Sequence, residues 1–127
     1  MSLRQKRVAQ LIKTEVSSIL QTRVRDPEIG FVTVTHVEIS PDLRHAKVFV
    51  SVLAGSVERE RSMRALRRAE AFVRTELAQA LELRYAPEVV FVYDASVERA
   101  ARIFQLLAEI ERAREREKSE EDAEPEG

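Results

Sequence analysis

Residues 31–53 read FVTVTHVEISPDLRHAKVFVSVL, and this stretch decides the fold class. Residues 31–40 and 44–53 are rich in β-branched side chains, which favour strands. Between them, residues 40–43 read Ser-Pro-Asp-Leu, with proline and aspartate in the middle, as β-turns commonly have. The stretch therefore predicts an antiparallel hairpin.

Pairing the two strands about that turn predicts which residues share each face of the hairpin. One face is largely apolar, and its facing pairs are Val37 with Ala46, Thr35 with Val48, Thr33 with Val50, and Phe31 with Val52. The other face is half polar and suits water or a partner; it carries Val34, His36, Glu38, His45, Lys47 and Phe49.

The two histidines of the chain, His36 and His45, fall diagonally across this register, roughly 7 Å apart. A metal site or an acid–base pair needs a more closed cluster than these two residues and Glu38 provide on an open sheet. We interpret them as surface polar residues, and we predict neither a metal nor a cofactor.

An amphipathic helix is predicted before the hairpin, because apolar residues recur there at spacings of three and four. They are Val8, Leu11, Ile12, Val16, Ile19 and Leu20. The helix must end before Pro27, since the residue preceding a proline disfavours helical geometry. Arg4, Lys6, Arg7 and Lys13 on this helix are candidates for phosphate contact, and a merely solvated face is the alternative.

A second helix follows the hairpin, and it carries six arginines and two acids between residues 59 and 74. At about 100° per residue, its apolar arc holds Met63, Leu66, Val73 and Leu77. The facing arc holds Arg61, Arg64, Arg67, Arg68 and Arg74. Phe72 would fall among the arginines of a straight helix. A kink at Ala69, Glu70 and Ala71 would correct this, so the sequence predicts two helices that meet there.

The remaining elements complete an α+β domain over residues 1–110. Pro87 ends the preceding helix, and the apolar run 89–93 is typical of a central or well-covered strand. Ser96 can cap a final helix, whose buried stripe would be Ala100, Ile103, Phe104, Leu107 and Ile110. We expect a three-stranded mixed sheet with helices on one face, and a charged, disordered tail over residues 111–127 beyond a frayed helical start.

Composition narrows the possible functions. The net charge of −1 divides into −5 on residues 115–127 and +4 on residues 1–114, so the body is mildly basic. Without cysteine there is no thiolate chemistry, and no run approaches the roughly 20 apolar residues of a membrane span. With no nucleophile–base pair or glycine-rich phosphate loop, we expect a cytoplasmic protein that is not an enzyme.

Several segments, in their order and spacing, resemble the ribosome-binding factor A family over roughly residues 8–107. They are residues 25–27 (Arg-Asp-Pro), 32–43, 46–51, 83–88 and 91–94, with Ser96 close behind. Proteins of this family resemble type II KH domains, in the order helix, strand, strand, helix, kink, helix, strand, helix.

A KH domain usually holds nucleotides with a Gly-X-X-Gly loop, and this chain has none, since its glycines are Gly30, Gly55 and Gly127. The family is similar in lacking the loop and has a helix kink at Ala-X-Gly instead. That motif maps onto Ala69, Glu70 and Ala71, where Ala71 departs from the family glycine.

The resemblance implies a non-enzymatic maturation factor that binds the small ribosomal subunit and its rRNA near the decoding region. It also implies a link to growth in the cold and small GTPases of the same pathway as partners, and we expect the protein to act as a monomer. The first-choice RNA contacts are Arg61, Arg64, Arg67, Arg68 and Arg74, and the second choices are Arg4, Lys6, Arg7 and Arg84. Two alternatives stay open: a general single-stranded RNA-binding module, and a protein-interaction module that uses Val34 and Phe49 while the arginines only solubilise.

Overall fold

The computed structural model describes residues 1–123, which form three helices and three strands. In chain order they are α1 (Leu3–Thr22), β1 (Val32–Ile39), β2 (His45–Val52), α2 (Ser56–Ala80), β3 (Glu88–Tyr93) and α3 (Ser96–Ala123). The strands lie in the order β1-β2-β3, with β1 and β2 antiparallel and β2 and β3 parallel. The predicted α+β class with a mixed sheet is confirmed.

The core of the unit Met1–Asp94 lies between one face of the sheet and the apolar sides of α1 and α2. Helix α1 contributes Ile12, Val16 and Ile19, all completely buried. The predicted apolar arc of α2 is confirmed, because Met63, Leu66, Val73 and Leu77 are all buried. Alternate residues of β2 complete the core, namely Ala46, Val48, Val50 and Val52.

The hairpin register differs from the prediction by two residues. Ile39 faces Ala46 and Val37 faces Val48, because the connecting loop is longer than the predicted turn. The Ser40 N–H donates to the His45 carbonyl at 2.9 Å, and Leu43 adopts a left-handed φ of 62°, a known geometry for longer hairpin loops.

A β-bulge between Val34 and His36 then changes which side chains of β1 face the core. Val34 is buried and pairs with Val50, whereas the sequence placed it on the open face. Phe31 was placed on the apolar face and is 81% exposed. The bulged Thr35 donates its hydroxyl to the buried carboxylate of Asp94 at 2.6 Å.

The predicted proximity of the two histidines is wrong. His36 faces Phe49 across the ladder and stacks on its ring, with centroids 4.1 Å apart. His45 lies four residues before Phe49, at the far end of β2, where its ring approaches Glu88 at 3.3 Å. Within residues 1–123 no three histidine, aspartate or glutamate residues are grouped so that they could hold a metal ion.

Helix α2 is uninterrupted from Ser56 to Ala80, so the predicted division into two helices is wrong. Alanine is the strongest helix former, and neither Ala69 nor Ala71 adopts the positive φ that a break would favour. Phe72 is tolerated on the surface, with 44% of its area exposed. A bend of the helix axis at Ala69, Glu70 and Ala71 stays a prediction.

The apolar run was expected to form a central or well-covered strand, but β3 lies at an edge of the sheet, so the central position is wrong. Its side chains alternate between buried and exposed, so Val89 and Phe91 face the core while Val90 faces outward. The apolar run led to the wrong expectation because Val90, although apolar, is exposed.

The second unit begins at Ala95, and its described part is essentially the single helix α3. Its predicted stripe is not buried, since Ile103, Phe104, Leu107 and Ile110 are each more than half exposed. The spacing of these residues predicted the helix, but spacing alone does not establish that a second layer covers its apolar side.

Residues 111–123, which the sequence assigned to a disordered tail, are helical. Glutamate and arginine are good helix formers, and pairs such as Glu111 and Arg114 have the spacing of neighbours on a helix surface. Residues 124–127 of the expected tail lie outside the described residues, and a domain boundary at residue 110 stays a prediction. No helix within residues 1–123 has the length and apolar character needed to cross a membrane.

Replacing Ile12 by alanine should lower the free energy of unfolding by about 2–5 kcal/mol, because it leaves a cavity in a completely buried site. The neighbouring Leu11→Ala is the matched control, since Leu11 is 55% exposed, and it should change stability by roughly 0.5 kcal/mol or less. Urea unfolding measures both. Equal losses in the two variants would show that the face of α1 is assigned wrongly.

Candidate nucleic-acid interface

The outer side of α2 carries the arginines that the sequence singled out. Arg61, Arg64, Arg67, Arg68 and Arg74 are all exposed, as predicted, because the opposite side of the helix is buried against the sheet. Among residues 1–123, the guanidinium groups of Arg61 and Arg64 form no ion pair and no hydrogen bond. Their charge is therefore available to an anion from outside the chain.

Arg68 differs from its neighbours, because it is anchored to the segment after α1. Its guanidinium lies 2.8 Å from the Glu28 carboxylate and 3.3 Å from that of Asp26. Hydrogen bonds to Glu28 and then Asp26 raise the pKa of Arg68, so it stays charged, but two acids already offset that charge. Arg68 ties the loop to α2 more than it offers a free cation.

Arg67 lies near Glu70, one of the three residues at the predicted kink. Partial burial raises the pKa of the Glu70 carboxyl, and the charge of Arg67 opposes that rise. Arg67 is itself exposed, so it can turn to a phosphate while it remains on the same face as Arg64. The α2 face, defined as Arg61, Arg64 and Arg67, is the least neutralised part of the helix.

Three of the remaining candidates, Arg4, Arg74 and Arg84, line hollows beside Tyr85 in the loop between α2 and β3. The guanidinium carbons of Arg44 and Arg84 each lie 5.5 Å from the centre of the Tyr85 ring. We call the space beside them the Tyr85 cleft; its volume is about 340 Å³, and its lining includes Arg4, Asp42, Arg44, Arg84, Tyr85 and Pro87. A second hollow, lined by Arg44, His45, Arg74, Tyr85, Ala86 and Glu88, adjoins it.

The structure thus places Arg4, Arg74 and Arg84 in the linings of two adjoining hollows that share Tyr85, although Arg4 is far from the other two in sequence. It does not bring Lys6 to the same place, because Lys6 lines a different hollow with Lys13 and His36. Arg7 is exposed on α1. Sequence reasoning assigned no role to Arg44 or Tyr85, and the only available signal was the Arg-Tyr dipeptide in a loop before Pro87.

Arg59 was also counted among the clustered arginines, but its position is different. Its guanidinium lies 4.6 Å from the centre of the Tyr93 ring, and its Nη1 is 3.5 Å from the Tyr93 hydroxyl. Both side chains are only partly exposed. We interpret this pair as packing between α2 and β3.

A helix cap holds the loop that carries Tyr85. The Leu83 N–H donates to the Ala78 carbonyl at 3.3 Å, and Glu82 has a left-handed φ of 48°. This is a Schellman arrangement, in which glycine usually occupies the left-handed position. Arg74 adds a hydrogen bond from its guanidinium to the Ala86 carbonyl at 3.1 Å, and Pro87 is buried.

These features define an α+β domain with exposed arginines on α2 and an arginine–tyrosine cleft beside the loop that precedes β3. The family model for ribosome-binding factor A matches residues 4–107. The chain belongs to the ribosome-binding factor A family.

Individual relatives agree with this assignment. Ribosome-binding factor A of Desulfitobacterium hafniense is 46% identical over 117 residues, which cover 92% of this chain and 94% of the relative. The crystal structure of the Thermus thermophilus protein superposes with a TM-score of 0.63 at 26% identity, covering 70% of this chain and 94% of that one.

A second similar structure is a homology model of the Thermus thermophilus factor fitted into a cryo-electron-microscopy map of a 30S complex. Its TM-score is 0.59 at 26% identity, and the match covers 68% of this chain and 91% of that one.

Replacing Glu82 by glycine should raise the free energy of unfolding by about 1 kcal/mol, because glycine adopts the left-handed conformation without the Cβ clash. The side chain of Glu82 is exposed, so little packing is lost. The matched control is Glu82→Ala, which keeps the Cβ and should give no such gain. Thermal unfolding of both variants measures this, and equal stability would show that the cap is unstrained.

Proposed function

We propose that this protein binds the small ribosomal subunit through its rRNA and acts there as a non-enzymatic maturation factor. The observation that carries the proposal is the α2 face, where Arg61 and Arg64 are exposed and unpaired among the described residues and Arg67 lies beside them. Three guanidinium groups on one rigid helix suit the regularly spaced phosphates of RNA.

The choice of the small subunit is supported by the family. The Thermus thermophilus relative was placed in a map of a 30S complex, and its chain shares this fold over most of its length. We extend that partner to this protein, together with a role in late rRNA processing and in cold adaptation. Action as a monomer in the cytoplasm, and contact with small GTPases of subunit maturation, belong to the same proposal.

Of the two alternatives, the protein-interaction module needs a surface that the structure provides only in part. It required Val34 and Phe49 on the open sheet face, but Val34 is buried and the ring of Phe49 is stacked against His36. A general single-stranded RNA-binding module uses the same arginines as the proposed function. It differs only in having no preference for the small subunit.

Reversing the charge of the α2 face with Arg61→Glu, Arg64→Glu and Arg67→Glu should abolish co-sedimentation with small ribosomal subunits at moderate salt. The fold should persist, since all three side chains are exposed, and circular dichroism checks this. On single-stranded RNA, losing three phosphate contacts should also reduce the slope of log affinity against log salt by roughly 2.

The matched control makes the same change in net charge on α3, with Arg112→Glu, Arg114→Glu and Arg116→Glu, and it should retain binding. Large subunits and joined ribosomes are sedimented in parallel. Equal binding to every particle would support the general RNA-binding module, and undiminished binding of the α2 variant would refute the proposed face.

A further inference from the structure

Tyr85 exposes most of its aromatic side chain to solvent. Its side chain is 61% exposed, although it stands between Leu83 and Pro87, which both turn toward the protein. The two guanidinium groups beside it lie 5.5 Å from the ring centre, compared with 4.6 Å in the packed pair of Arg59 and Tyr93. The Tyr85 ring is therefore only loosely covered by its cations.

The frame around this ring is well ordered by hydrogen bonds. The Schellman cap and the bond from Arg74 to the Ala86 carbonyl hold the loop that carries Tyr85. In the hairpin loop, which also lines the cleft, the Asp42 carboxylate accepts hydrogen bonds from the Ser40 hydroxyl and the Arg44 N–H. Those bonds, Ser40 first, lower the pKa of Asp42, so the carboxylate is charged at neutral pH and keeps the Arg44 backbone in place.

We propose that the Tyr85 cleft is a subsite for one unpaired RNA nucleotide, whose base stacks on the Tyr85 ring. Arg44 and Arg84 would turn from the ring to the phosphates on either side of that base. This inference rests on the proposed function, because it assumes that the chain binds RNA, and it adds a defined contact outside the α2 face.

The chemistry of the cleft favours a nucleotide over an acidic peptide. A carboxylate would use the arginines alone and leave the exposed ring without a partner, whereas a nucleotide supplies both a flat ring and a phosphate. Asp42 and Glu88 also line the two hollows, and their charge opposes carboxylates and phosphates alike, so the exposed ring decides between the two ligands. Every base has a face that can stack, so the subsite would accept any unpaired base.

The cleft also continues the α2 face. Arg74 lies seven residues, or about two turns, after Arg67, so both lie on the same side of α2, roughly 10 Å apart along its axis. Arg74 lines the hollow next to Tyr85. A single RNA strand can thus follow the arginines of α2 and place one base on Tyr85.

The chain suits a direct optical test, because Tyr85 and Tyr93 are its two tyrosines and it has no tryptophan. In a Tyr93→Phe variant, Tyr85 is the only tyrosine fluorophore. Titration with a single-stranded RNA of about ten nucleotides should quench its emission as the base stacks on it. A Tyr85→Phe variant, which leaves Tyr93 as the reporter, should show little quenching by the same RNA.

Affinity gives the second readout. Tyr85→Ala should weaken binding of that RNA at least about fivefold, which corresponds to the lower end of the free-energy range for base–aromatic stacking. Tyr85→Phe keeps the ring, so its affinity should stay within about twofold of wild type. An abasic oligomer of the same length should bind without quenching Tyr85. Quenching by polyglutamate as strong as that by RNA would overturn the proposal in favour of an acidic peptide.

The outcomes separate this inference from the proposed function. If wild type binds RNA, the α2 variant does not, Tyr85→Ala binds normally and Tyr85 in the Tyr93→Phe variant is not quenched, then the subsite is refuted and the proposed function stands. If wild type binds no RNA at any salt, both are refuted. Quenching of Tyr85 emission, together with weaker RNA binding by Tyr85→Ala but not by Tyr85→Phe, supports both the subsite and the proposed function.

Discussion

The parallel pairing of β2 with β3 determines how α2 and the loop after it are placed on the surface of this domain. A parallel neighbour cannot be reached by a tight turn, so the chain must cross the sheet, and α2 makes that crossing. Leu66, Val73 and Leu77 on one side of α2 are buried, so the arginines on its other side must face the solvent. The acids near the end of α1 then bind Arg68, whereas Arg61 and Arg64 form no ion pair within residues 1–123. The same crossing ends in the loop that presents Tyr85.

Patterns in the sequence predicted the elements and most of the core, because both follow from local periodicity. The apolar arc of α2 and the buried face of β2 are examples, since each depends only on spacing within one element. The register of β1 could not be predicted in this way. It depends on a loop with Leu43 in a left-handed conformation and on a bulge at Thr35, whose hydroxyl bonds Asp94 from a distant strand end. The edge position of β3 could not be predicted either. Val90 is exposed, but because it is apolar it makes the run 89–93 resemble a fully buried strand.

The candidate site was predictable where it lies on one helix and unpredictable where it joins several segments. Exposure of the α2 arginines followed from the helical wheel, but the acids that hold Arg68 come from a loop about 40 residues earlier, so its partial neutralisation was not foreseen. The cluster at Tyr85 combines α1, the hairpin loop and the loop before β3. No local pattern connects those segments. Phe72 led to a wrong prediction for a different reason. It was taken to require a division of the helix, but an exposed aromatic side chain needs no special helix geometry.

The central claim is that α2 faces the RNA of the small subunit, and directed cleavage tests it most directly. The chain has no cysteine, so a single cysteine at the exposed Ala71, among the α2 arginines, can carry an iron chelate that generates hydroxyl radicals. The matched probe is a cysteine at Glu38, which is exposed on the open face of the sheet. The account predicts localised cuts in small-subunit rRNA from position 71 and weak or no cuts from position 38. Strong cleavage from position 38, with none from position 71, would contradict it.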